Sequence, residues 1–251
     1  MPELKFVCYN ILRSSRKEQI VANIKALAGQ GVSLFALQEV RPPRRGAFIG
    51  DLILQELGAE WQAEYFLGAA YNSPDYGLGF VWRQPILQAQ GFDLLSLPTL
   101  SKLGAYERYF ERWFGDQSRP VQRGVLIGQF KFAGQLLRVS NVHADWHGGF
   151  GQRFRQLQHL ANRLKTDPTA AAEIICGDFN TIGLARNGEQ KRKIHALLGL
   201  EYTDLLPTFH RTTTHYQHLD HIFVRNLKKS DIAVHRLSGS DHYPILATVE
   251  L

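Results

Sequence analysis

Cysteine is scarce in this sequence: only Cys8 and Cys176 occur in 251 residues, each inside an apolar, strand-like run. Two thiols so placed read as small buried hydrophobes and exclude a scaffold built on disulfides. Long hydrophobic stretches are lacking as well. No run reaches the roughly 18 apolar residues that a membrane-spanning helix needs. The opening MPELKFVCYN has neither the basic start nor the apolar segment of a secretory signal. A cytoplasmic protein with no membrane span is expected. Low-complexity tracts and Pro/Gly/Ser linkers are missing too, so residues 1–251 are expected to form one domain. Acid is the minority charge, with 23 Asp and Glu against 29 Lys and Arg. The formal charge of +6 favours anionic partners such as nucleic acid, phospholipid surfaces or phosphorylated metabolites.

What is present is ample core material, 44% hydrophobic residues, arranged in a pattern that occurs twice. LKFVCYNI is followed by Ile20, Val21, Ile24, Leu27 and Ala28 at helical spacing, by Gly29 as a stop, and by the strand VSLFALQEV. Later, LLRVSNVHAD precedes Phe154, Leu157, Leu160, Ala161 and Leu164 on one helical face, and then AEIICGDFN. Strands without polar alternation are buried on both faces. Shorter strand-like stretches follow the same logic: LGFVWR, GVLIGQFKF, LDHIFVRN and PILATVEL, with Ala133-Gly134-Gln135 as a hairpin turn. The terminal stretch, with Ile245, Ala247, Val249 and Leu251 on one alternating face, is expected to be half-buried. Two mixed sheets packed face to face, with helices on both outer sides, account for the doubled pattern better than one open sheet. The least regular part runs from Phe92 to Arg123. There Tyr106, Tyr109, Phe110, Trp113 and Phe114 keep the spacing of a short amphipathic helix docked on a core, leaving Arg108, Arg112, Arg119 and Arg123 free to face a site.

Polar residues gather where the strands end: Asn10, Gln38-Glu39, Asn141-Val142-His143 and Gly177-Asp178-Phe179-Asn180, joined by Asp220 and the pair Asp241-His242. Acids and amides without a cysteine ligand suit a hard, oxygen-seeking cation, magnesium or manganese. Hydrolysis of a phosphodiester needs an activated water, a cation on the phosphoryl oxygens or leaving group, and donors for the added negative charge. Asp178 fits the first task, Glu39 with Asp241 the second, and Asn10 or Asn180 the third. His242 paired with Asp220 is suited to grip phosphate. Taken singly, each has a blander alternative: Glu39 pairing with Arg41, Asp178 capping a helix, and the two asparagines satisfying buried backbone.

The order YNI, LQEV, NVHAD, GDFNT, LDHIFV, SDHYP resembles the endonuclease/exonuclease/phosphatase superfamily over nearly the whole chain. The resemblance implies a DNase I-like, four-layered α/β sandwich and a Mg2+-dependent phosphoesterase, with Mn2+ as the alternative cation. It implies that Glu39 is the principal metal ligand, with Asn10 beside it and Asp241 as a further metal-side carboxylate. Asp178 then positions the attacking water and Asn180 supports the phosphoryl group. His143 stabilises the transition state or the leaving group, His242 binds phosphate, Asp220 orients His242, and Arg123 contacts phosphate. Leu12 stands where abasic-site endonucleases carry an acid, and His143 where they carry tyrosine, which argues against abasic-site repair. LQEVRPP and QRFRQL are similar to tyrosyl-DNA phosphodiesterases, while other features are shared with sphingomyelinase-like and deadenylase-like members.

Charge and the arginine-aromatic segment favour nucleic acid over lipid or inositol phosphate as the phosphodiester substrate, and no protein partner is expected. Two rivals remain. His215, His218, Asp220 and His221 approximate the HxHxDH zinc signature of metallo-β-lactamase-like hydrolases, with one residue too many. The other is a module that binds phosphate or nucleic acid without turnover.

Overall fold

The computed structural model describes residues 2–43, 46–67, 77–102, 104, 109, 122–167, 169–181, 187–199, 201–207 and 209–251. The first unit is β1 (Glu3–Asn10), α1 (Lys17–Ala28) and β2 (Leu34–Gln38), and it is followed by α2 (Ile49–Leu57), β3 (Trp61–Leu67), β4 (Gly77–Arg83) and β5 (Leu87–Ser96). The hairpin β6 (Gly124–Phe132) and β7 (Gln135–His143) leads into α3 (Gly149–Lys165) and β8 (Ala172–Asp178). The chain then forms α4 (Asn187–Leu198), β9 (Thr203–Asp204), β10 (Asp220–Arg225), β11 (Lys228–Val234) and β12 (Ile245–Glu250).

Two sheets result, in the orders β11-β12-β1-β2-β4-β3 and β5-β6-β7-β8-β10-β9. Each is mixed. The pairs β1/β2 and β7/β8 run parallel and every other pairing is antiparallel. Both parallel pairs are joined through a helix, α1 or α3, because a parallel neighbour needs a long crossover. These are the two repeated units of the sequence.

Side chains alternate across a strand, and that alternation builds the layers. Leu4, Phe6 and Cys8 of β1 and Leu34 and Ala36 of β2 meet Leu137, Val139, Ile174, Cys176 and Ile222 of the other sheet in one buried cluster. The opposite face, with Val7, Tyr9, Phe35 and Leu37, packs on Ile20, Ile24 and Leu27 of α1 and on Ile49 and Ile53 of α2. In the second sheet Val142, Ile175 and Phe223 pack on Leu157 and Leu160 of α3 and on Ile194 of α4. Helix, sheet, sheet and helix thus form four layers. Cys8 and Cys176 are buried free thiols between the sheets. Among the described residues no helix is long and apolar enough to cross a membrane.

Two expectations need correction. β12 is not half-buried: it lies between β1 and β11, and Leu246 and Thr248 on its second face are buried as Ala247 is on its first. An interior strand covered by a helix has no solvent face to alternate toward. The irregular region after Phe92 also begins later, since β5 continues to Ser96 and Leu97 is bonded to Arg123 O. Tyr106, Arg108, Phe110, Arg112, Trp113, Phe114 and Arg119 lie outside the described residues, and Tyr109 is exposed.

One glycine is indispensable to this packing. Gly177 has φ 146°, and a Cβ there would stand 2.0 Å from Val142 O on the neighbouring strand. Backbone cannot retreat from that contact without breaking the β7/β8 ladder. Gly177→Ala is therefore expected to cost about 3 kcal/mol or more, seen as a loss of soluble protein or a large fall in the thermal unfolding midpoint. An unchanged midpoint would show that the ladder can give way there.

Candidate active site

The same alternation that builds the inter-sheet core also builds the site. Asn10 continues the series Leu4, Phe6, Cys8; Gln38 continues Leu34, Ala36; Asn141 and His143 continue Leu137, Val139; Asp178 continues Ala172, Ile174, Cys176; and Asp220 opens the series Ile222, Val224. Each therefore points into the gap between the sheets, at its polar end. Register sets Asn10 opposite Gln38, His143 opposite Asp178, and Asp178 opposite Asp220.

A buried amide bridge forms the floor. Gln38 Nε2 donates to Asn141 Oδ1 at 2.7 Å, while Asn141 Nδ2 donates to Leu37 O at 2.9 Å and to Gly79 O at 3.0 Å. Both amides are fully buried, so each bond is shielded from water and ties one sheet to the other directly below the reactive groups.

Above that floor the acids gather. Asn10 Nδ2 donates to Asp178 Oδ2 at 3.1 Å and to Glu39 Oε1 at 3.4 Å. His242 Nδ1 bonds Asp220 Oδ2 at 2.9 Å, and its Nε2 lies 3.7 Å from Asp178 Oδ2. His143 Nε2 lies 3.7 Å from Glu39 Oε1 and 3.9 Å from Asp178 Oδ2. Arg123, itself buried, sets Nη1 3.1 Å from the same His143 nitrogen. Asn180 donates its side-chain amide to Ala144 O at 3.0 Å, and its backbone N–H to Asp178 Oδ1 at 2.9 Å. Asp178 thus makes a local turn of the capping kind while Oδ2 faces the cluster. Asp241 stands on the rim, half-buried, its Oδ1 3.4 Å from Ser240 Oγ.

Burial decides the protonation states. It pushes the Asp178 carboxyl up to about 7, with nearby Asp220 and Glu39 adding to the rise and His242 opposing it. Burial alone would lower His242, but Asp220 and Asp178 outweigh it and hold the imidazole near 10, so it is a cation at neutral pH. His143 is driven the other way, well below its ordinary value, by burial and then by Arg123, His242 and Arg13. One histidine is charged and the other neutral, although both lie within 4 Å of the same Asp178 oxygen.

Asp178, Asp220 and His242 have donor atoms within 4.8 Å of one another. That is not the best cation site, because the charged His242 already holds Asp220 and has no lone pair to offer. Glu39 fits better. Its Oε2 is buried with no hydrogen-bond partner among the described residues, and Arg13, 4.0 Å away, is too distant to satisfy it. A buried carboxylate oxygen left so is costly unless a cation takes it. Glu39 also holds the left-handed φ of 60°, strain of the kind stored at functional positions.

The zinc reading fails on alternation. Asp220 faces the inter-sheet gap, so its neighbour His221 faces the helical layer, against Phe179 and Phe223, with His218 stacked on it at 4.6 Å. Sequence reasoning overlooked Ser240, whose hydroxyl donates to Asn10 O at 2.7 Å and accepts from His242 N at 3.1 Å, joining the end of β1 to the entrance of β12. Arg13 was overlooked too. Neither has a signal beyond lying close to a motif.

The sequence profile described as "Endonuclease/Exonuclease/phosphatase family" matches residues 7–242. No curated protein matches the sequence significantly. The structure is similar to D. rerio TDP2 complexed with single strand DNA product, at 18% identity, 99% coverage of each chain and TM-score 0.70. It is similar to the endonuclease/exonuclease/phosphatase from Bacteroides vulgatus, at 15% identity over 100% of each chain and TM-score 0.74. ANGEL2, described as a 2',3'-cyclic phosphatase, aligns over 98% of this chain and 95% of its own at 14% identity and TM-score 0.69. Two packed mixed sheets flanked, among the described residues, by four helices are the DNase I-like fold that these neighbours share.

Proposed function

Since the chain belongs to the endonuclease/exonuclease/phosphatase family, whose members are hydrolytic phosphoesterases, we propose that it is a divalent-metal-dependent phosphodiesterase acting on nucleic acid, with Mg2+ or Mn2+ as its cation. The observation that carries this reading is the setting of Asp178: a buried carboxyl near pKa 7, hydrogen-bonded by Asn10 and flanked by the cationic His242. A base poised near neutral pH is what water activation requires.

Glu39 would hold the cation, with Asn10 beside it and Asp241 on the rim. When bound, the cation supplies positive charge to the phosphoryl oxygens and the leaving oxygen. Asp178 orients the water and accepts its proton. His242, kept charged by Asp220, pairs with a phosphoryl oxygen and stabilises the added negative charge at phosphorus. Asn180 supports the phosphoryl group. His143, neutral, accepts from Arg123 and holds its guanidinium at the cluster, where Arg123 supplies positive charge to a developing oxyanion. The basic balance of the chain favours nucleic acid over other phosphodiesters.

The test is a substrate panel: single- and double-stranded DNA, RNA, a 5'-tyrosyl oligonucleotide, sphingomyelin and inositol phosphates, each with Mg2+ and with chelator. Chelator-sensitive cleavage of a nucleic-acid substrate is the expected result. Cleavage of sphingomyelin or an inositol phosphate alone would move the substrate assignment, and binding without any cleavage would leave the non-catalytic module as the better account.

A further inference from the structure

Among the described residues three large hydrophobic side chains stand exposed, and two of them, Phe209 at 53% and Tyr216 at 64%, lie on the loop between β9 and β10. That loop is rigidly tied to the site. Thr213 forms a bridge with His242, Thr214 N donates to Asp241 O at 2.7 Å, and Tyr243 N donates to Thr212 O at 2.7 Å. Thr212 Oγ1 accepts from the N–H groups of Leu219 at 3.0 Å and Asp220 at 3.3 Å. The side chains this loop presents are therefore fixed relative to His242.

Arg211 lies over the ring of Tyr216, its guanidinium carbon 3.5 Å from the ring centroid and 5.7 Å from that of Tyr243. Carbonyls hold it there: Nε donates to Thr213 O at 3.1 Å and Nη2 to Thr214 O at 2.9 Å. No carboxylate pairs with it among the described residues. Between Asp204 and Asp220 the chain reads LLPTFHRTTTHYQHL, without one acid. Tyr216 also holds φ 59°, where glycine or asparagine fits at less cost. An exposed tyrosine in a strained backbone position gains the fold little.

An uncompensated cation, an exposed ring stacked with that cation, and an anchor on the strand entrance that carries His242 together match a ligand that is both flat and anionic. We infer that the loop from Phe209 to Gln217 reads the nucleotide beside the scissile phosphate, its base stacking on the open face of Tyr216 while Arg211 supplies charge to the strand. Stacking needs an unpaired base, so the ligand is single-stranded nucleic acid. The inference rests on the phosphodiesterase reading for where the scissile phosphate lies; the stacking does not depend on turnover.

Fluorescence anisotropy of a labelled single-stranded oligonucleotide, with the full chain in chelator, measures it apart from cleavage. Tyr216→Asn is expected to weaken binding about tenfold while the thermal midpoint stays level or rises, and Tyr216→Phe to restore binding. An oligonucleotide with one abasic position beside the scissile phosphate is expected to bind wild type about tenfold more weakly and the Asn variant no more weakly still, because both changes remove one interaction. Equal binding by wild type and Tyr216→Asn overturns the inference, as does binding to anionic phospholipid vesicles in place of the oligonucleotide. If the substrate panel shows hydrolysis and Tyr216 has no effect, the phosphodiesterase reading stands alone. If Tyr216-dependent binding appears with no hydrolysis of any substrate, the loop assignment stands and the hydrolytic reading falls.

Discussion

Asp178→Asn is expected to lower kcat on the cleaved substrate by about 10³-fold or more while the protein stays folded. The exchange keeps the shape of the side chain, and its oxygen still accepts from Asn180 N. It removes the proton acceptor and turns the second position, now facing Asn10 Nδ2, from acceptor to donor. Stability is expected to survive because the acid is already strained by burial, which is what raises it to about 7. A steady-state assay beside a thermal melt checks both halves. Activity within tenfold of wild type would remove Asp178 from the water-activating role.

Glu39→Gln is expected to weaken divalent-ion binding more than about 100-fold, with activity falling in parallel and not restored at ordinary Mg2+ concentrations. Glu39 Oε2 is a buried oxygen without a hydrogen bond among the described residues, and it lies at the cluster, so a cation is its expected partner. Glutamine preserves the length of the side chain and leaves the backbone at φ 60° as it was. Calorimetric titration of Mg2+ or Mn2+ into the pure proteins reads this without any substrate. Unchanged binding would shift the ligand set away from Glu39, first toward Asp241 and then toward the carboxylates of Asp178 and Asp220.

The elements legible in the sequence are those buried on both faces. β1, β2, β7 and β8 occupy interior positions of their sheets, so their apolar runs are nearly unbroken. The elements that sequence reasoning left out lie at the edges. β11 opens with Lys228-Lys229-Ser230-Asp231, all exposed, and β5 changes register between Ala89 and Gly91, which breaks its alternation. Edge strands need not be hydrophobic on both faces, and charge along them discourages pairing with another chain. α2 and α4 escaped notice as well, although each covers one of the sheets.

By itself the sequence determined the two strand-helix-strand units, the layering, and the face on which each strand-end polar group falls. These follow from local rules: apolar runs form buried strands, and alternate residues share a face. Tertiary structure alone decided which groups meet and in what charge state. Asn10 and Asp178, 168 positions apart, touch because two sheets close on each other with Gln38 and Asn141 setting the gap. His242 is cationic and His143 neutral because one is buried between carboxylates and the other beside Arg123. His218 and His221 adjoin Asp220 in sequence yet serve the helical layer, since one step along a strand reverses the side. Charge state depends on the company a group keeps after burial, and no sequence spacing encodes that company.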